Sequence, residues 1–211
     1  MGEKLKPHEY WHLRNQCTLL VNAYHSVNDK RVHESLQVQT GENVRQLIPS
    51  NVYAEEALLY TMNKELSRAR LANYFDGLLE HVEPFEKPSR KQLEKTFRKV
   101  KKLNEPEWDL TDLRENTYYG WNDAGSGRKY ILARREGKLE GVYGTLATEV
   151  INGACAICKQ IDGVSMFLAT VKSGAEGTYT KRGNYICRDS QKCNQHLYSL
   201  DSLNEFLDNL K

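Results

Sequence analysis

The sequence predicts two domains: an N-terminal helical bundle, then a mixed α/β domain with a cluster of cysteines. Apolar residues recur at three- and four-residue steps over most of 8–103, which is the period of amphipathic helices. Beyond residue 112 the pattern changes to short segments rich in β-branched and aromatic residues. Four of the five cysteines lie in two short segments of this second half. These observations place a helical domain before a sheet-containing one.

Amphipathic segments joined by short links predict the N-terminal bundle. The first segment follows Pro7, which suits the first turn of a helix, and Gly41 interrupts the second. The stripe over 54–82 predicts one long helix or two in series. Ser89 and Gln92 fit a capping box that opens a last, basic helix. The apolar stripe of the first helix consists of Tyr10, Leu13, Cys17, Leu20 and Tyr24.

The domain boundary is predicted at 104–112, where "NEPEWDLTD" combines a proline with acidic residues. The helical domain then spans residues 1–104, and the α/β domain spans residues 113–211. Several β-rich segments follow, and "EGK" at 136–138 has the composition of a hairpin turn. The chain closes with a short helix that places four apolar residues on one side: Leu203, Phe206, Leu207 and Leu210.

The cysteine spacing predicts a metal site. Cys155 and Cys158 form a C-x-x-C pair, Cys187 ends the strand "NYIC", and Cys193 lies in or near the first turn of a helix. A knuckle, a hairpin and then a helix that gives the last ligand is the arrangement of a treble-clef zinc finger. Four thiolates would close the coordination of one structural Zn²⁺ and leave no position for an activated water. His196 competes with Cys193 for the fourth place.

Two other patterns of metal-ligand residues are interpreted as structural. "HEYWH" matches H-E-x-x-H, in which two histidines hold zinc and the glutamate acts as a base. Here His8, Glu9 and His12 open the first helix with no evident third ligand, so we interpret them as a polar first turn. Cys17 lies on the stripe of that helix and is predicted to be a buried core thiol. The phosphate-loop pattern G-x-x-x-x-G-K-[ST] occurs nowhere.

Composition narrows the class of protein. A net charge of +2 from 30 basic and 28 acidic residues does not by itself indicate a nucleic-acid binder. No apolar run approaches the roughly 20 residues of a membrane helix, and the N-terminus lacks the apolar core of a secretory signal. We therefore expect a cytoplasmic monomer without membrane contact. In that reducing compartment clustered cysteines favour a metal over disulfides.

Two basic segments are candidate binding surfaces. "KPSRKQLEKTFRKVKK" at 87–102 could contact ribosomal RNA through phosphates, or it could be a solvated helix face. "TYTKRGNYIC" places Tyr179, Lys181, Arg182 and Tyr185 on the strand that leads to the third clustered cysteine. Tyrosine and arginine often anchor protein interfaces. The alternative there is an exposed strand with ordinary packing.

The segments "QLEKTFRKVKKL", "YYGWND" followed by "RKYI", and "GTYTKRGNYICRDSQKCNQ" together resemble the FusB-type fusidic acid resistance proteins. The resemblance is strongest from Gln92 to Gln195. It implies a non-enzymatic protein whose C-terminal zinc-finger domain binds elongation factor G. Members of the family promote release of the GDP-bound factor from ribosomes on which fusidic acid has trapped it, with ribosome contact indirect or weak. The alternative is a zinc-dependent RNA- or ribosome-binding module without affinity for the factor.

The resemblance also implies roles for individual residues. Partner contacts map to Arg182, Tyr185 and Phe206, and the adjacent Lys181 joins this predicted surface. Relatives carry an aromatic residue before the first cysteine, where this chain has Ala154, so one anchor of the interface is missing. The zinc ligands implied by the resemblance are Cys155, Cys158, Cys187 and Cys193.

Overall fold

The chain divides into two compact units, Met1–Pro84 and Phe85–Lys211. The computed structural model describes residues 2–173 and 178–210. The first unit is helical, and the second combines an antiparallel sheet with short helices. The predicted fold class, a helical domain followed by an α/β domain with clustered cysteines, is confirmed.

The N-terminal unit is built from four α-helices in its described part. Side chains of Asp29, Asn51 and Ser67 accept hydrogen bonds from the first free backbone N–H groups of the second, third and fourth helix. Such caps satisfy donors that have no partner within the helix. The helices are α1 Pro7–Ser26, α2 Lys30–Leu47, α3 Val52–Thr61 and α4 Arg68–Leu78, followed by a 3₁₀ turn at Leu79–His81.

Two features of these helices refine the sequence prediction. Gly41 does not interrupt the second segment, because α2 continues through it to Leu47. Gly41 is buried together with Thr40 and Val44, and packing on this face outweighs the low helix propensity of glycine. The 54–82 stripe forms two helices in series, α3 and α4. The core of this unit includes Tyr10, whose ring meets Phe75 edge-on at 5.9 Å between centroids.

The C-terminal unit contains a six-stranded antiparallel sheet of order β1-β2-β3-β5-β4, with β6 paired to β5. Glu136 and Gly137 join β2 to β3 with φ values of 50° and 74°, as a tight hairpin turn requires. The strands are β1 Tyr118–Asp123, β2 Arg128–Arg135, β3 Lys138–Leu146, β4 Ile151–Ala154, β5 Ile161–Ser173 and β6 Thr178–Cys187. The helices are α5 Arg90–Thr96, α6 Ser190–Gln195 and α7 Leu200–Asp208.

The sheet buries a different apolar cluster on each face. On one face Tyr130 and Leu132 pack with Leu93 of α5 and with the aromatic residues Phe97 and Trp108 of the segment that follows it. On the other, Ile131 and Ala133 pack with the four clustered cysteines and with α7. Successive side chains of a strand point to opposite faces, so β2 contributes alternately to both. We call these the aromatic cluster and the cysteine cluster.

The predicted domain boundary at 104–112 requires a correction, because the compact units divide at Pro84 and Phe85. The basic helix that opens with the Ser89 capping box, predicted as the last helix of the first domain, is α5 of the second unit. Phe97, just after α5, lies 5.3 Å from the ring of Tyr130, and Trp108 lies 4.3 Å from the ring of Tyr119. The proline-containing, acidic stretch is therefore a loop that contributes Trp108 to the aromatic cluster.

Two glycines allow close approach of the strands that flank β5. A Cβ atom at Gly144 would collide with the carbonyl of Leu168, and one at Gly183 would collide with the carbonyl of Phe167. Glycine at these positions lets β3 and β6 approach the middle of β5 from both sides.

None of the described helices is long and apolar enough to cross a bilayer.

Candidate metal centre and adjoining surface

The structure brings the four clustered cysteines together. The Sγ atoms of Cys155, Cys158, Cys187 and Cys193 all lie within 4.8 Å of one another and are buried. The separations Cys155–Cys193 and Cys158–Cys187 are both 3.8 Å. A zinc–sulfur bond of about 2.3 Å in a tetrahedron requires sulfurs about 3.8 Å apart. The donor set and its spacing therefore fit a tetrahedral Zn²⁺.

Local backbone geometry fixes the first two sulfurs. The turn after β4 closes through a hydrogen bond from Lys159 N to Cys155 O at 2.9 Å, with Lys159 at a φ of 62°. The backbone N–H groups of Ile157 and Cys187 both donate to Cys155 Sγ at 3.3 Å. Such N–H donors stabilise thiolate character on the sulfur that accepts them. The turn is thus a preformed knuckle.

The other two sulfurs come from β6 and α6. Cys187 is the last residue of β6, and Asp189 caps α6 by accepting from Gln191 N at 2.8 Å and Lys192 N at 3.3 Å. Cys193 follows one turn later in α6. The order knuckle, strand and helix is the treble-clef arrangement that the spacing predicted.

Mutual contact splits the pKa values of the four thiols. Hydrogen bonds from Cys158 and the other two thiols hold the pKa of Cys155 below its usual range. The hydrogen bond with Cys155 raises the pKa of Cys158, but those with Cys187 and Cys193 outweigh it, so this pKa is lowered as well. The pKa values of Cys187 and Cys193 are raised, because each donates to Cys155 and a further thiolate beside it is repelled. A divalent ion among the four sulfurs would favour ionisation of all of them, including the two whose pKa values are raised.

His196 lies outside this group of sulfurs. Among the described residues, the four cysteines are the group of His, Cys, Asp and Glu side chains placed closely enough to hold a metal. His196 is the C-cap of α6 and is half-buried, and its Nδ1 is buried without a partner. The geometry therefore favours Cys193 for the fourth position.

The histidines of "HEYWH" are held within the first unit. His8 is 7% exposed, and burial lowers its pKa to about 4. His12 places Nε2 at 3.2 Å from the carbonyl oxygen of Asn43. Glu9 accepts from Lys6 N at 2.8 Å and so completes the cap of α1. This agrees with the interpretation of the motif as a helix start.

The predicted partner contacts are divided between the two faces of β6. Lys181 and Tyr185 pair with Thr170 and Met166 of β5, whereas Arg182 pairs with the buried Ala169. Side chains of paired residues share a face, so Lys181 and Tyr185 lie opposite to Arg182. The side chain of Tyr179 is outside the described part of the structure.

Arg182 and Phe206 border a groove of about 520 Å³ between β6 and α7. Arg182 Nη1 donates to the carbonyl of Asn209 at 3.3 Å. Phe206 is only 4% exposed, and its ring lies 5.9 Å from that of Phe167. Phe206 is thus mainly a core residue, as its helical spacing allowed, that reaches the groove with its rim. Lys181, Arg182 and Tyr185 are exposed.

Two buried polar residues near the cysteines, Asn194 and Lys129, were not predicted from the sequence. Asn194 is 1% exposed and links α6 to the start of β1 through hydrogen bonds to Thr117 and Tyr118. Lys129 is fully buried on β2. The sequence does indicate the face on which Lys129 lies. It is two residues from Ile131 in the same strand, and so it shares the face that carries the cysteine cluster.

Comparisons with known proteins agree with these observations over the whole chain. Residues 4–86 match the family model described as "Elongation factor G-binding protein, N-terminal". Residues 90–205 match the model described as "FBP C-terminal treble-clef zinc-finger". A solved structure titled "Structure of the fusidic acid resistance protein FusC" is 33% identical with a TM-score of 0.89, covering 99% of this chain and 98% of that one. A search of curated proteins found no match.

Proposed function

Because the chain belongs to the FusB-type family of fusidic acid resistance proteins, we propose that it is a non-catalytic protein that binds elongation factor G. Bound to the factor, it promotes release of the GDP form from ribosomes stalled by fusidic acid. One observation carries the proposal: the cysteine knuckle is hydrogen-bonded to the strand that carries the exposed basic and aromatic residues. A single chain acts on each factor, in the cytoplasm where ribosomes work.

The surface proposed to bind the factor includes both faces of β6: Lys181 and Tyr185 on one, and Arg182 with the groove bordered by Phe206 on the other. We call it the β6 surface. Two of its side chains are cationic, which favours an acidic patch on the partner and faster association at low salt. Tyr185 is 38% exposed, and a tyrosine that is partly buried before binding loses little conformational freedom on docking. β6 also lies at an edge of the sheet, since it pairs with β5 alone among the described strands.

Metal binding and the β6 surface are coupled through the backbone. The N–H of Ala156, inside the knuckle, donates to the carbonyl of Tyr185 at 2.8 Å. Two residues further along β6, Cys187 provides one of the four sulfurs. We propose that one Zn²⁺ bound by Cys155, Cys158, Cys187 and Cys193 fixes the course of β6 at Tyr185. When bound, this zinc supplies folding energy rather than chemistry, because binding to such sites is coupled to folding.

The proposed metal site is structural rather than catalytic. Four sulfur ligands would close the tetrahedral shell, whereas catalytic zinc keeps one position for water or substrate. The motif "HEYWH" gives no support to a zinc hydrolase either, because Glu9 caps α1 and His12 places Nε2 against a backbone carbonyl. We therefore attribute the release of elongation factor G from the ribosome to binding of the factor by this protein. The protein favours a conformation of the factor that the trapped complex cannot adopt. This requires the protein to bind that conformation more tightly than the trapped one.

Calorimetric titration of the full-length, zinc-loaded chain into elongation factor G tests the binding step. We expect a complex with a Kd of micromolar or below, and at least a tenfold loss for Tyr185→Ala, about 1.4 kcal/mol or more. Tyr60→Ala is the matched control, because Tyr60 is 37% exposed in the other unit. The absence of both heat and co-elution at micromolar concentrations would refute the proposal.

Sedimentation of ribosomes tests the release step. Ribosomes loaded with elongation factor G, GDP and fusidic acid should release the factor into the supernatant when the protein is added, and the Tyr185→Ala variant should release less of it.

The alternative function, an RNA-binding module, predicts that the protein binds to ribosomes even when the factor is absent. This binding should weaken steeply as the salt concentration rises. Its basic segment is partly neutralised, since Arg90 pairs with Glu94 at 3.0 Å and Glu105 at 3.5 Å.

A further inference from the structure

Lys129 is a charged side chain that is buried completely in the C-terminal unit, at 0% exposure. It lies in β2, where Tyr130 and Leu132 belong to the aromatic cluster and Ile131 and Ala133 to the cysteine cluster. By the alternation along a strand, Lys129 shares the face of Ile131. Its side chain therefore extends on the face of the sheet where the four sulfurs lie.

The ammonium group of Lys129 contacts the segment between two of the clustered cysteines. Nζ donates to the carbonyl of Arg188 at 2.9 Å and to Asn122 Oδ1 at 3.2 Å. Asn122 Nδ2 donates to the same carbonyl at 3.2 Å. Arg188 follows Cys187 directly and precedes Asp189, the cap of the helix that carries Cys193. Lys129 thus anchors the chain between the third and fourth sulfur.

No carboxylate forms an ion pair with Lys129 in the part of the chain that is described. A buried ammonium without a counter-ion is strongly unfavourable. Burial lowers the pKa of Lys129 to about 8, and negative charge on Asp189, and on the cysteines when they are ionised, acts in the opposite direction. The contact with the Arg188 carbonyl places the ammonium group one residue from Cys187, so ionised sulfurs would favour its charged form.

The cations closer in sequence to the cysteines are directed elsewhere. Lys159, Arg188 and Lys192 are exposed, where solvent screens their charge. Lys159 pairs with Glu205 at 3.4 Å, and Arg188 Nη1 donates to the carbonyl of Ala147 at 3.0 Å. A zinc ion with four thiolates would carry a net charge of about −2, and the four sulfurs that would hold it are buried.

We propose that Lys129 is the buried counter-charge of the four-cysteine metal site. Its ammonium offsets part of the negative charge of the metal–thiolate group and holds the Arg188 carbonyl that sets the spacing of Cys187 and Cys193. Lys129 is a positioning residue and does not bind the metal. This role rests on the assignment of zinc to the four cysteines.

Zinc retention in full-length protein gives the first test. Lys129→Met keeps the length and apolar stem of the side chain and removes the charge, and Lys192→Met makes the same change at an exposed site beside Cys193. In competition with a chromophoric chelator, we expect zinc affinity to fall at least tenfold in Lys129→Met and less than twofold in Lys192→Met. Equal affinity in the two variants would overturn the proposal.

Iron substitution separates a charge effect from a packing effect. Fe²⁺ bound by four thiolates has a net charge of about −2 and the Fe³⁺ form about −1, so a nearby positive charge favours the reduced form. The reduction potential should therefore shift downward in Lys129→Met and remain unchanged in Lys192→Met. An unchanged potential in Lys129→Met would overturn the counter-charge role even if zinc affinity had fallen. The thiolate-to-iron absorption band confirms that only loaded protein is measured.

Different results identify an error in the metal assignment and an error in the role of Lys129. If the unaltered protein purifies and titrates without zinc, the metal assignment is wrong, and the role of Lys129 is wrong with it. If the unaltered protein binds one zinc and Lys129→Met binds it equally well, only the role of Lys129 is refuted. Neither result depends on elongation factor G.

Discussion

Asn194 bonds to both backbone groups of Tyr118: its Oδ1 accepts from Tyr118 N at 3.1 Å, and its Nδ2 donates to Tyr118 O at 3.0 Å. The same Oδ1 accepts from Thr117 N at 2.8 Å. The carboxamide thereby replaces a neighbouring strand at the start of β1. Because Asn194 directly follows Cys193, this pairing ties one of the four sulfurs to the sheet.

Replacing Asn194 by leucine should destabilise the C-terminal unit by about 3 kcal/mol, because the N–H and carbonyl of Tyr118 would remain buried without partners. Chemical unfolding of the zinc-loaded protein measures this change. Gln195→Leu, at the next, half-buried position of α6, is the control and should cost less than about 1 kcal/mol. Equal effects of the two substitutions would contradict the assigned role of Asn194.

Changing Cys158 to serine should release zinc and unfold the C-terminal unit, since the binding free energy of a closed thiolate site is also folding free energy. Elemental analysis measures the zinc, and fluorotryptophan NMR distinguishes the units, because Trp108 and Trp121 lie in the second unit and Trp11 in the first. We expect dispersion to be lost for Trp108 and Trp121 and kept for Trp11.

Cys17→Ala is the matched control for that experiment. Cys17 is buried in the N-terminal unit, where its sulfur accepts from Thr61 Oγ1 at 3.8 Å. Its replacement should leave the zinc content unchanged and lower the stability of the first unit by about 1–2 kcal/mol. Full zinc stoichiometry in Cys158→Ser would mean that the ligand set is assigned incorrectly.

The sequence allowed the helices and the cysteine cluster to be predicted because both depend on local patterns. The stripe from Tyr10 to Tyr24 has the helical period, and the spacing of Cys155 and Cys158 is that of a knuckle. The interruption at Gly41 was wrong because tertiary packing around a buried glycine outweighs its low helix propensity.

Other features depend on contacts between distant residues. The boundary was misplaced because a proline and acidic residues mark a loop whether or not that loop ends a domain, and only the contact of Trp108 with Tyr119 assigns it to the sheet. Asn194 and Lys129 could not be recognised from composition, since the partners that make them important lie 76 residues away at Tyr118 and 59 residues away at Arg188.

Acid should destabilise the N-terminal unit through His8. Burial lowers its folded pKa to about 4, against about 6.5 in an unfolded chain. The stabilisation is therefore fully present above pH 6.5 and is lost as the pH falls from 6.5 towards 4, because only the unfolded state takes up the proton in that window. The loss is at most roughly 3 kcal/mol.

Urea unfolding at pH 7.5 and pH 5.0, followed through the NMR signal of Trp11, measures this dependence. His8→Gln should remove most of it, whereas His25→Gln, at an exposed position of α1, should preserve it. His12, whose pKa is also lowered by burial, accounts for a smaller remaining dependence. A pH dependence that is the same with and without His8 would exclude this origin.

Restoring an aromatic residue at position 154 should strengthen binding to elongation factor G. Ala154 is exposed on β4 and pairs with Ile161, which is 72% exposed, so a phenylalanine would enlarge an apolar surface already present beside the knuckle. Burying one aromatic ring on docking could add about 1–2 kcal/mol, a five- to thirtyfold lower Kd. Calorimetry of Ala154→Phe against Leu110→Phe, whose site is 73% exposed elsewhere in the same unit, isolates the position from general hydrophobicity. Equal Kd values for the two variants would place Ala154 outside the interface.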